Sequence, residues 1–210
     1  MLVRLVALLL VLFSAPQVQV HENTKQVLEK YLEPDAYEVY GALLPDKWSW
    51  GNWALKARSL IIKQETGPGI GGKEECFPRA KEFPESWADV LEDYKKQNQT
   101  PRLLLRSFPI EKPYNLVAEE KILVIPSGEN LRSPETWSKA WDSFYSRYPD
   151  SGGYIQLSAV GFSADKTKAL VYLAHYCGSL CGTGGYAFLE KRDGKWVRAT
   201  LKASDCGWIS

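Results

Sequence analysis

His175 is the first residue to weigh, because an imidazole is the side chain best suited to moving protons near neutral pH. The chain holds one other histidine, His21, close to the N-terminus. Acid-base chemistry by imidazole therefore rests on His175, and no Gly-x-Ser-x-Gly elbow offers it a hydrolase nucleophile. Glu119, Glu120, Glu129 and Glu135 supply carboxylates, but no spacing sets two of them at the separation that glycoside hydrolysis requires. Alternation along 168–176 puts His175 on the face of Val171 and Leu173. A hydrogen-bonded sheet histidine is the plainer reading of that position.

Cys76, Cys177, Cys181 and Cys206 are the next reactive set. With His175 they offer thiolate and imidazole ligands of the kind that hold zinc. An even number of cysteines behind an export signal favours two disulfides instead. Cys177 and Cys181 enclose only Gly178-Ser179-Leu180, a loop short and flexible enough to bring its ends within bridging distance. The expected pairs are Cys177 with Cys181 and, by remainder, Cys76 with Cys206. Redox catalysis is disfavoured, since the two-residue spacing of the usual dithiol motif is absent. No metal and no cofactor is expected.

Gly67-Pro68-Gly69-Ile70-Gly71-Gly72-Lys73 matches two phosphate-binding patterns on paper. The P-loop version fails at Glu74, a carboxylate where a hydroxyl should meet magnesium. The dinucleotide version fails because Glu74-Glu75-Cys76-Phe77-Pro78 does not open a helix whose amides would face a pyrophosphate. A surface loop remains. Trp48, Trp50 and Trp53 are the positive hint: three flat rings in a polar turn beside Asn52 could stack on a ligand such as a glycan. The competing account buries them where helix meets strand. At least one exposed ring and two mostly buried ones are expected.

The elements that must position these residues follow from patterning. Among 210 residues, 26 basic and 25 acidic side chains leave a formal charge of +1, which gives no field for phosphate backbones or acidic membranes. Nucleic acid is thus not an expected partner. Arg4, the apolar run Leu5 to Phe13 and Ser14-Ala15-Pro16 have the layout of a secretory signal peptide over residues 1–20. The run is too short to span a bilayer core, although Phe13 and Pro16 make a poor cleavage site and leave a retained anchor open. After cleavage no membrane span remains, and 21–210 is expected to form one domain.

A helix is expected from Asn23, interrupted at Pro34 and ending before Pro45, followed by a strand within 54–66. A second helix should open at Pro84 and stop near Gln97. Leu103 to Phe108 and Asn115 to Ile125 read as one or two strands. Ser133 can cap a third helix with Pro134 in its first turn, carrying Trp137, Ala140, Trp141, Phe144, Tyr145 and Tyr148 on one stripe. Four runs then follow, 154–162, 168–176, 186–191 and 195–201, separated by turn residues. The expected fold is α+β: a four-stranded antiparallel C-terminal meander covered on one face by amphipathic helices, plus an N-terminal helical segment and strand.

Val160-Gly161-Phe162-Ser163, Ala169-Leu170-Val171-Tyr172, Cys177-Gly178-Ser179-Leu180-Cys181-Gly182, Gly185-Tyr186 and Gly194-Lys195-Trp196 together resemble a set of uncharacterised exported bacterial proteins, over about residues 135–208. The resemblance implies a bacterial, exported protein and brings no catalytic residue. The expected function is a monomeric or weakly associating cell-envelope module without catalysis, periplasmic or secreted, that binds a small ligand, a glycan or an envelope protein. The alternative is a small envelope hydrolase using His175 with a nearby carboxylate.

Overall fold

A computed structural model describes residues 30–44, 57–67, 84–199, 201 and 208–209. The expected signal peptide, the tryptophan cluster Trp48, Trp50 and Trp53, and both Cys76 and Cys206 lie outside the described residues. Helix α1 runs Pro34–Leu43, with Pro34 in the first turn, where its missing N–H costs nothing. After β1 (Ser59–Lys63) a short 3-10 turn, Glu85–Trp87, leads into α2 (Ala88–Gln97). Then come β2 (Tyr114–Val117), α3 (Pro134–Arg147), β3 (Ser151–Leu157) and the two-residue β4 (Gly161–Phe162). Two long strands, β5 (Lys168–Gly178) and β6 (Cys181–Arg192), precede β7 (Lys195–Arg198) and β8 (Trp208–Ile209).

Among the described residues eight strands join one sheet in the order β2-β1-β3-β5-β6-β7, with β4 beside β5 and β8 beside β6. The α+β class holds. The expected four-stranded meander is not what forms: the run 154–162 breaks into β3 and β4, and the antiparallel neighbours β3, β5, β6 and β7 are only part of a larger sheet. On the far side of β3, β1 pairs parallel to β3, and β2 parallel to β1. Leu60, Ile61, Ile62 and Lys63 are all buried, as expected of a parallel strand covered on both faces.

The expectation that helices cover one face is corrected: they pack on both. Tyr37, Tyr40 and Leu43 of α1 meet Leu60, Ile62, Leu157, Val171 and Leu173 on one side. On the other, Val90, Leu91 and Tyr94 of α2 meet Leu170, Tyr172 and Phe188, while Trp141 and Phe144 of α3 meet Ile61 and Val117. Residues 170 to 173 alternate between these clusters, because successive strand side chains point to opposite faces. Two smaller expectations also change. Ser133 holds the N-cap position of α3 but makes no side-chain capping bond. Leu103 to Phe108 forms no strand; Leu103 makes only isolated bridges to Tyr31 and Glu65.

Candidate functional site

β4 stops after two residues and, among the described residues, has no strand on its outer side, so the N–H groups facing away from β5 need other acceptors. Helix α2 provides them. Asp93 Oδ2 accepts from Phe162 N at 2.8 Å, and Asp89 Oδ2, one helical turn earlier, from Ala164 N at 3.0 Å. At the helix end Asn98 Oδ1 accepts from Ala159 N at 2.9 Å. Two side chains of α2 and that of its C-cap residue thus take the place of a missing strand. Gly161 permits the approach, since a Cβ there would stand 2.5 Å from the Tyr94 backbone. Asn98 opens an Asn98-Gln99-Thr100 glycosylation pattern, but its amide nitrogen donates to the carbonyls of Tyr94 and Ala159, so the group is spent on the fold.

Between this edge and the start of α1 lies an open groove of about 450 Å³. Leu32, Ala36, Val160 and Phe162 supply its apolar surface, and Asp89, Glu92, Asp93 and Lys96 its α2 wall. The β4–β5 turn closes the third side. There Asp165 Oδ1 accepts from the hydroxyls of Ser163 at 2.7 Å and Thr167 at 2.8 Å and from Thr167 N at 3.0 Å. These donors, Ser163 first, pull the Asp165 carboxyl down to about 2. The turn holds Lys166 at φ 54°, in the left-handed region, and aims its ammonium at α1. Lys166 Nζ lies 2.6 Å from Asp35 Oδ2 and 2.8 Å from Glu33 Oε2. The two carboxylates, Asp35 foremost, raise its pKa.

His175 sits elsewhere. It is 1% exposed at the far end of β5, and Nε2–H donates to the Gly152 carbonyl at 2.7 Å. A carbonyl only accepts, so Nε2 carries the proton of the neutral ring. Burial depresses the imidazole to about 4, with the Gly152 bond partly opposing the shift. The ring is therefore neutral near pH 7. Two residues on, Cys177 and Cys181 are disulfide-bonded across the β5–β6 hairpin with Cα atoms 5.0 Å apart, so this pair matches the expectation from spacing. Among the described residues no three His, Cys, Asp or Glu side chains gather to hold a metal ion. Nor is any described helix long and apolar enough to cross a membrane.

Compared with protein-family models, with curated proteins and with solved structures, the chain matches none. Sequence reasoning missed the groove. Asp89 and Asp93 stand on the polar side of an amphipathic helix, where solvation is the ordinary reading, and their partners are 75 and 69 residues away. The one available signal was the run Gly161-Phe162-Ser163-Ala164: a short apolar strand with a glycine, ending at a turn, leaves donors that something must accept.

Proposed function

We propose that this chain is an exported bacterial envelope module that works without catalysis of its own, as a monomer, and binds its ligand in the groove between α1, α2 and the β4–β5 turn. The observation that carries this reading is the groove itself. Its volume falls within the range that takes small ligands or a few side chains, and it combines an apolar floor with charged walls. Its frame is stiffened by Asp89, Asp93 and Asn98 hydrogen bonds, which favours a preformed site. The layout of residues 1–20 supports export, and the Cys177–Cys181 bridge suits an oxidising compartment. The hydrolase alternative requires substrate to reach an imidazole that is buried and bonded to a backbone carbonyl.

Two measurements test the proposal. Fractionation of bacterial cells should place the chain outside the cytoplasm with residues 1–20 removed; a cytosolic pool with an intact N-terminus sinks the export half. Envelope components should next be screened by protein-observed NMR against the wild type and Ala164→Trp, an exposed groove-lining position where a large ring fills the space. A compound that shifts the wild type and not the filled variant supports the groove. Equal responses from both, or none from either, refute it.

A further inference from the structure

We propose that the groove recognises a basic peptide segment, with an ammonium or guanidinium on an apolar stem beside an apolar neighbour, and that Lys166 occupies the place of that cation in the free protein. The inference rests on the reading of the groove as a binding site and adds the chemistry of what enters it.

A cation already sits there. The Lys166 ammonium is held by Glu33 and Asp35 and lies 5.8 Å from the centre of the Phe162 ring, on its face. Two carboxylates and an aromatic face are the groups that select an organic cation over an anion or a neutral ligand. The remaining wall has the same sign. Asp89 and Asp93 accept neutral backbone N–H groups, which satisfy their oxygens without cancelling their charge, and Glu92 adds a third carboxylate against Lys96 alone. Such a concave surface attracts cations over a distance of several ångströms at moderate salt.

Exchange of Lys166 for an incoming cation is cheap. Its side chain is 48% exposed and those of Glu33 and Asp35 are 62% and 39% exposed, and ion pairs so open to water contribute little to stability. The released Lys166 returns to solvent with its charge hydrated. A peptide suits the space better than a bare polyamine, because Leu32, Ala36 and Val160 form an apolar floor that a hydrophilic polyamine leaves unused. An extended segment alternating basic and apolar side chains matches walls and floor together.

The test uses the mature protein and two capped peptides, acetyl-Lys-Leu-Lys-amide and acetyl-Glu-Leu-Glu-amide, with spermidine as a third probe. Titrations follow the amide resonances of Phe162 and Ala164, whose N–H groups line the groove edge. The basic peptide should move both resonances, and its affinity should fall as salt rises. Removing the resident cation with Lys166→Met should tighten binding by about fivefold, the scale of an exposed ion pair. Glu33→Gln combined with Asp35→Asn should weaken it by about tenfold, for the same electrostatic reason, with an unchanged thermal midpoint showing that the fold is retained. Equal binding of the acidic peptide, spermidine binding as tightly as the basic peptide, or no gain from Lys166→Met overturns the proposal. An envelope compound that binds the wild type but not Ala164→Trp, together with silence from the basic peptide, overturns this inference alone and leaves the groove a binding site.

Discussion

On the α1 side of the sheet, Tyr40, Leu43, Ile62, Leu157, Leu173 and Leu189 form one continuous cluster of almost fully buried side chains. The other side is divided. There α2 and α3 build separate clusters, and Tyr176 packs against both. It stacks on Tyr154 at 4.9 Å in the seam between the helices, and each of the two rings is only partly buried. Helix α1 closes its face with the help of Phe108, which lies against Tyr37 and Tyr40. The polar groups follow the same division of labour. His175, level with the sealed face, is buried and neutral, whereas the carboxylates around β4 stand at an open edge. Function is thus sought where the layers fail to close, and stability where they do.

The largest expected effects test that contrast within the core. Tyr40→Ala and Phe144→Ala should each cost roughly 3 to 5 kcal/mol in denaturant unfolding, as for other large core truncations. Tyr40 should be the costlier, because its hydroxyl also donates to the Ser158 carbonyl at 2.7 Å in a fully buried position. A smaller loss at Tyr40 than at Phe144 breaks the claim that the α1 face is the better sealed.

Acidification comes next. The His175 pKa is depressed from 6.5 to about 4 in the folded chain, so the unfolded state binds the extra proton first as pH falls. This contribution to stability is present above pH 6.5 and is lost progressively down to about pH 4, by at most about 3 kcal/mol. His175→Phe should flatten the slope across that window. An identical slope in the variant assigns the acid sensitivity to other groups.

At the open edge the effects are smaller and of two kinds. Asp93→Ala leaves the Phe162 N–H without its acceptor and should cost about 1 to 3 kcal/mol. Lys166→Met removes exposed ion pairs and the contact with the Phe162 ring face and should stay within about 1 kcal/mol. Hydrogen exchange at the Phe162 amide should accelerate in the first variant and not in the second. If both variants lose stability equally, the β4 edge is held by charge rather than by its hydrogen bonds.

Much of this architecture was legible in the residues themselves. The stripe from Trp137 to Tyr148 marks α3 because aromatic residues at helical spacing have only one way to leave water. The apolar run within 168–176 marks a strand, though not its burial on both faces, and Gly178-Ser179-Leu180 marks the turn that the Cys177–Cys181 bridge clips. Strands were expected where β1 and β2 stand, but how they pair was not legible. Their partners lie far along the chain, and parallel pairing leaves no short turn to announce it. For the same reason the second helical layer was missed.

What the sequence by itself determined was local: helix and strand periodicity and the tight cystine turn, set by residues within a few positions of one another. The tertiary structure alone decided which face each helix covers, that His175 is sealed against Gly152, and that Asp89, Asp93 and Lys166 frame a groove. Those outcomes depend on contacts between segments distant in sequence. A carboxylate carries no mark of whether water or a backbone N–H 69 residues away will be its partner. Only the packing of α2 onto Gly161, where no side chain stands between helix and strand, settles it.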